Sequence, residues 1–520
     1  MNFESLLAEL PARRGAVLTL ERGKPIRTPF ADLAVAVEKA KNRLSAAGVG
    51  PGMRVGIYAP NSVHWLVYDL ALIALKAISV PFTEDFAGKI DQALLDRYHI
   101  ALLLLASDQA HQFAERPAHV ALLDRDEGPI AVRAASAPDE DSADYHTMVF
   151  SSGSAGGLKG LVISRTGLEA TLPPIVEAVG VTSRDCLLLF LPMSNFQQRS
   201  MCYAALLHDF DIIITDYLQL FAAIKVFHPT VLIAPPIFYQ MVHTRFANMP
   251  AWKKSLWTMT GNAISLLPGA SLRRGLARRL FRDFHRQFGD RMRLLLTGMA
   301  PVKRSATEFF ERMQLPLSET YGMVEAGSLT FRAAGERGKI DSVGKPLRGV
   351  VLELAEDGEV IVRRKQFLTL KYFQAAEGEN ERTFVAPDRI ATGDIGRLDE
   401  DGYLYLMGRK KELIITPGGY KVHPEVIEHE MSACPDISQC VIFPKAGASQ
   451  LVAVIVPATP DEQARARIRR FAATLSVARK GMPIGEVIFA DEPFSTDNGM
   501  LRPNLKVDRR NIAARFNLSG

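Results

Sequence analysis

Short, uninterrupted apolar runs, set apart by segments of helical period, constrain this 520-residue chain more than any other feature. Within residues 54–82, RVGIYAPNS is followed by the helical WLVYDLALIALKA and then by ISVPF, a strand, a helix and a strand in one unit. HIALLLLAS, DCLLLFLP, DIIITD, TVLIAPP and MRLLLTG continue the series. A strand that is apolar at every position has both faces covered, which is the habit of parallel sheets flanked by helices. The spacing therefore predicts an α/β body.

After about Ser328 the texture changes to alternating strands, VVLELAEDGEVIVRR and GYLYLMG, with turn residues Asp357-Gly358 and Asp401-Gly402. That pattern predicts antiparallel pairing. From about Arg409 a further block holds a strand, a helix start after Pro424, the strands CVIFP and LVAVIVP, a helix over residues 461–478 and the strand GEVIFA. A small α+β domain fits that order. Residues 126–144 read as a surface loop with a strand in it, and no internal repeat stands out.

With 48% hydrophobic and 23% charged residues, the chain can bury a large core, and its length points to several folding units. A net charge of +5 spread over this length leaves no nucleic-acid footprint. Cys186, Cys202, Cys434 and Cys440 form no CxxC pair and no zinc spacing, so a reduced, cytoplasmic setting is expected. Glu4 and Glu9 stand where an export signal would be basic and then apolar. Asp69 and Lys76 interrupt the most apolar stretch, leaving it short of the ~18 uncharged residues of a membrane span. Residues 271–288 place Leu272, Leu276, Leu280, Phe284 and Phe288 at i+4 spacing among six arginines. They read as one basic amphipathic helix, docked on the body with a solvated Arg face, the alternative being weak membrane-surface contact.

The segment Phe150-Ser-Ser-Gly-Ser-Ala-Gly-Gly-Leu-Lys-Gly160 gathers hydroxyls, glycines and one lysine after the apolar Met148 and Val149. Glycines let backbone N–H groups converge on an anion, hydroxyls add donors and a lysine adds charge, a combination suited to polyphosphate. The G-x-x-x-x-G-K-[ST] order is absent, because Lys159 precedes Gly160. Taken alone, the segment is equally compatible with a solvated surface turn.

This segment resembles the phosphate-binding loop of the adenylate-forming superfamily, which includes acyl-CoA synthetases, nonribosomal adenylation domains and luciferases. Further matches follow in that family's order: Thr297-Gly-Met-Ala-Pro301, Tyr321-Gly-Met-Val-Glu325, Thr392-Gly-Asp394, Gly408-Arg-Lys-Lys-Glu and its continuation to Pro424, and a C-terminal lysine segment. Leu191-Pro-Met-Ser-Asn-Phe-Gln-Gln-Arg199, residues 228–242, and Asn498-Gly-Met-Leu-Arg-Pro-Asn-Leu-Lys-Val-Asp-Arg509 are similar to the long-chain fatty acyl-CoA synthetase branch in particular. The resemblance implies an N-terminal adenylation domain over residues 1–408, with its antiparallel subdomain at about 329–408, and a small mobile C-terminal domain over 409–520.

The resemblance also implies a reaction: a carboxylic, fatty-type acid and ATP give an acyl adenylate, and the acyl group then passes to coenzyme A. A carrier-protein phosphopantetheine is the alternative acceptor, and a non-catalytic acyl or nucleotide sensor is the alternative of another class. Ser151, Ser152, Gly153, Ser154, Gly156 and Lys159 would hold the outer phosphates. Gly298, Met299, Ala300 and Pro301 would line the base and acyl pocket, and Tyr321 with Gly322 would lie against adenine. Glu325 would hold Mg²⁺, Asp394 the ribose hydroxyls, and Arg409 would add charge beside the nucleotide. Lys506 would bridge the attacking carboxylate and the α-phosphate, Lys411 would sit at the hinge, and Gly418 and Gly419 would line the thiol's path. A core tyrosine and surface ion pairs are the plain structural alternatives for Tyr321, Asp394 and Arg409.

Four positions depart from the family pattern. Ala155 replaces a hydroxyl and Leu158 a proline in the loop, Asn195 replaces the histidine of the long-chain branch at the acyl-pocket entrance, and Val324 replaces a threonine that contacts the α-phosphate.

Overall fold

The computed structural model describes residues 2–112, 119–125, 130–133, 142–152, 158–247, 249–298, 300, 302–315, 317–415, 421–445, 448, 450–478, 483–502 and 507–518. One nine-stranded sheet runs in the order Lys345–Pro346, Gly327–Arg332, Leu317–Met323, Leu294–Thr297, Val231–Ile233, Cys186–Leu189, Asp211–Ile214, Ala16–Glu21 and Lys24–Pro29. Its strands from Leu317–Met323 through Ala16–Glu21 are all parallel. A seven-stranded sheet runs Thr369–Phe373, Leu158–Ser164, Tyr145–Ser152, Ile78–Pro81, Arg54–Tyr58, Ile100–Leu105 and Val120–Leu122. Its strands from Tyr145–Ser152 through Val120–Leu122 are likewise parallel.

The apolar runs are the strands of these two sheets, and their composition follows from burial on both faces: all six residues of Ile100–Leu105 are buried. Helices Val63–Ala74, Arg165–Val179 and Phe196–His208 share one core with Val55, Leu102 and Val149 of one sheet and Leu187, Ile212 and Leu294 of the other. Asp69, which breaks the apolar texture of its helix, is fully buried here. It receives Arg199 Nη1 at 3.1 Å, Ser79 Oγ at 3.1 Å and the Tyr203 hydroxyl. Arg199 also donates to Thr147 Oγ1 at 3.0 Å and lies 5.0 Å above the Phe196 ring. A buried ion pair survives this way, with hydrogen bonds taking up what water would otherwise supply.

The antiparallel sheet runs Val351–Leu354, Glu359–Arg363, Arg389–Leu398 and Leu404–Arg409, with Gly358 and Gly402 at its turns. The strand Gly327–Arg332 lies in the nine-stranded sheet, and Thr369–Phe373 crosses to pair with Leu158–Ser164. Beyond Arg409, strands Ile437–Pro444, Leu451–Pro457 and Ile484–Phe489 form a mixed sheet, covered by helices Pro424–Met431 and Glu462–Ala478. Lys303 Nζ of the large body donates to the carbonyls of Ile437 and Ser438 at 2.8 and 2.7 Å. Burial pulls that lysine down to about 8.

Residues 271–288 are not one helix. Ala270–Leu280 and Arg282–Gln287 break at Phe281, whose φ of −107° and ψ of 40° leave the helical region. The i+4 row divides accordingly: Phe284 and Phe288 are buried, whereas Leu272 and Leu280 are 52% and 55% exposed. Most of residues 126–144 fall outside the described residues, and residues 130–133 form no strand. All four cysteines are free thiols. Among the described residues, no helix is long and apolar enough to cross a membrane.

Candidate active site

Parallel strands Leu294–Thr297 and Leu317–Met323 deliver the residues that follow them to the same edge of the nine-stranded sheet. Gly298 leaves the first strand so close to the second that a Cβ there would meet the Thr320 carbonyl oxygen at 2.7 Å, which requires glycine. Strand Leu317–Met323 turns back through Val324, Glu325 and Ala326 into Gly327–Arg332. That turn is tight enough that a Cβ at Gly322 would meet the Gly327 carbonyl oxygen at 2.6 Å.

Asp394 and Arg409 are direct partners across two antiparallel strands, and Arg409 Nε stands 2.6 Å from Asp394 Oδ1. The Tyr321 hydroxyl donates to Asp394 Oδ2 at 2.6 Å from the other side. The Asp394 backbone N–H is taken by Thr392 Oγ1 at 3.1 Å. Burial, and then Asp394, lift the Tyr321 phenol well above its ordinary value. Burial alone would lower Arg409, but Asp394 and Tyr321 outweigh it and leave the guanidinium raised. Tyr321, 73 positions before Asp394, joins the Asp394–Arg409 pair in a polar group in which Tyr321 and Asp394 are buried and Arg409 is half-exposed.

Glu325 lies in the turn, fixed through its backbone carbonyl by the Thr369 N–H at 3.0 Å. Its Oε1 accepts from the Tyr372 hydroxyl at 2.8 Å. Lys159, the second residue of strand Leu158–Ser164 and not in the loop proper, sits 4.9 Å above the Tyr372 ring and pairs with Glu379. Burial, then Lys411, lower the Lys159 ammonium, with Glu325 acting in opposition. Burial, then Arg409, lower Lys411. Lys159, Arg409 and Lys411 thus share one field with Glu325 and Asp394, a setting that neutralises a multiply charged anion.

Ser151 and Ser152 end the strand Tyr145–Ser152, paired through their backbones with Lys159 and Leu158. Gly153, Ser154, Ala155, Gly156, Met299, Pro301, Gly418, Gly419 and Lys506 lie outside the described residues. Ala300 is exposed. Asn195 caps a helix: its side chain accepts the Gln197 N–H at the start of Phe196–His208. Val324 packs partly buried against the main core, and its carbonyl accepts from Thr369 Oγ1 at 2.8 Å.

Lys411 stands beside two tethers. Lys410 reaches back to Asp357 and Glu359, each at 2.7 Å. Glu412 and Glu425 share a hydrogen bond, and burial, then Glu412, push the Glu425 carboxyl up to about 8. Sequence patterns gave no notice of Tyr372, Glu379 or Glu425, which lie outside every ordered motif or reach the site from neighbouring segments.

The family model described as AMP-binding enzyme matches residues 8–366. Long-chain-fatty-acid–CoA ligase FadD15 of Mycobacterium bovis is 27% identical, over 94% of this chain and 90% of its own length. Fatty acyl-CoA synthetase A of Dictyostelium discoideum is 23% identical, over 90% and 81%. In fold, the chain is similar to anthranilate CoA ligase AuaEII in complex with anthranoyl-AMP, with a TM-score of 0.77, 17% identity and coverage of 99% and 97%. A fatty acyl CoA synthetase of Mycobacterium tuberculosis superposes with a TM-score of 0.65 at 19% identity.

Proposed function

The chain belongs to the AMP-binding enzyme family, and from that premise we propose that it is an AMP-forming acid–thiol ligase that activates a fatty acid with ATP and passes the acyl group to coenzyme A. The observation that carries this reading is the convergence of Tyr321, Asp394 and Arg409 beside Glu325 and Lys159.

A carboxylate is ionised at neutral pH and attacks the α-phosphate without a general base. The protein's work is alignment and charge neutralisation. In this reading Asp394 accepts from the ribose hydroxyls, exchanging its contact with the half-exposed Arg409, which then turns to phosphate. Tyr321 offers its ring to adenine while its hydroxyl keeps Asp394 in place. Lys159, with Ser151 and Ser152, takes the outer phosphates after leaving Glu379. Lys506 supplies the cation at the α-phosphate, and movement about Lys411 admits the thiol.

Glu325 supplies one carboxylate, a hard oxygen donor held in place by the Tyr372 hydroxyl on its Oε1. That suits Mg²⁺, which takes one or two carboxylates and leaves its other positions to phosphate and water. Bound there, the ion would neutralise charge on the phosphates.

Pyrophosphate release across a panel of carboxylic acids tests the activation step: turnover with a long-chain acid, abolished in Lys506→Ala and lowered about a hundredfold in Asp394→Asn, is expected. No turnover with any acid would overturn it. Offering coenzyme A and a phosphopantetheinylated carrier protein in turn, with mass spectrometry of the products, identifies the acceptor.

A further inference from the structure

Between Asp216 and Asp283 there is no Asp or Glu, although the whole chain carries 57 of them, and the interval holds nine Lys and Arg. The same interval contains the helical hairpin of Ala251–Ser265 and Ala270–Leu280. On the first helix, Trp252, Leu256 and Met259 follow helical spacing along one face and are 70%, 54% and 71% exposed. The opposite face, with Trp257, Gly261 and Ile264, packs inward. At the turn between the helices Leu266 is 88% exposed, and Leu272 follows it on the second helix. Lys253 on the first helix and Arg279 on the second lie beside this apolar face, and Lys254 and Arg274 add charge elsewhere on the hairpin.

A hairpin with large apolar side chains outermost, whose own charged residues are all cations, matches a surface that is anionic outside and apolar beneath. Nucleic acid would answer the charge but would offer no apolar layer for Leu266 and Met259. We propose that this hairpin docks the protein on anionic lipid membranes, inserting Trp252, Met259 and Leu266 among the acyl chains while the Lys and Arg side chains meet lipid phosphates. The proposal does not depend on the enzymatic reading, because binding is measured without turnover.

Full-length protein is sedimented with vesicles of phosphatidylcholine, alone or mixed with phosphatidylglycerol. Binding to the anionic vesicles is expected to be about tenfold tighter and to weaken with salt. Trp65 is buried and Trp257 half-buried, so Trp252 is the tryptophan whose emission should shift to the blue and lose acrylamide quenching on binding, a change absent in Trp252→Phe. Met259→Gln with Leu266→Gln should weaken vesicle binding by about tenfold, with pyrophosphate release from a short, water-soluble acid unchanged. Arg274→Gln with Arg279→Gln should abolish the preference for anionic lipid. Equal affinity for neutral vesicles, or bound protein whose Trp252 emission is unchanged, would overturn the proposal. So would tight binding of an RNA oligonucleotide to this face without vesicle binding. The Trp252 measurement on unaltered protein decides the matter even if a variant folds poorly.

Discussion

Two trios of identical residue types lie in this protein, and they differ in one respect. Asp69, Arg199 and Tyr203 meet between the two large sheets, and Asp394, Arg409 and Tyr321 meet at the edge of the antiparallel sheet. In both, a carboxylate receives a guanidinium on one side and a phenol on the other. The Asp69 and Arg199 side chains are wholly enclosed, whereas Asp394 is 6% and Arg409 44% exposed. Enclosure makes the first pair expensive to separate, so it holds helices Val63–Ala74 and Phe196–His208 to strands Ile78–Pro81 and Tyr145–Ser152. Opening the second pair costs less, because water can take over Arg409, and its carboxylate is free to change partners. The same chemistry locks in one place and, in the proposed function, binds in the other.

The largest effect is expected from Arg199→Met, which leaves Asp69 charged and buried: roughly 3–5 kcal/mol of stability, read by denaturant unfolding, with activity lost only through unfolding. A small loss there would break the contrast between the trios. Asp394→Asn is isosteric and should do the opposite, lowering turnover by about a hundredfold, the worth of a charge-assisted hydrogen bond, with little change in the unfolding midpoint.

A third measurement concerns the segment after Lys411, the proposed hinge, where the carboxyls of Glu412 and Glu425 share a hydrogen bond that needs one of them protonated. The Glu425 carboxyl is raised from 4.5 to about 8, so its stabilisation is complete below 4.5 and is lost as pH rises toward about 8. Unfolding followed against pH should show that decline, and Glu425→Gln should flatten it. The smallest effect is expected from Asn195→Ala, which removes the cap of the helix carrying Arg199 and Tyr203 and should cost about 1 kcal/mol. A large loss of turnover without loss of stability would instead place Asn195 at the substrate.

The parallel sheets were legible because burial on both faces leaves a purely apolar run, a signal carried by consecutive residues. The ordered motifs pointed to Tyr321, Glu325, Asp394 and Arg409, and those residues do converge. Asp69 was read only as an interruption, because its partner lies 130 positions away on another helix. Tyr372 and Glu379 carry no local pattern; strand Thr369–Phe373 brings Tyr372 to Glu325 only by leaving its sequence neighbours for the other sheet. The apparent single helix over 271–288 failed because an i+4 row does not say which of its members meet the core. What the sequence determined by itself was the set of strands, the fold class and the order of the motifs, since each is written in adjacent residues. Which charges face each other, and whether water reaches them, was decided by tertiary structure, because solvent access belongs to the packed whole and to no segment of it.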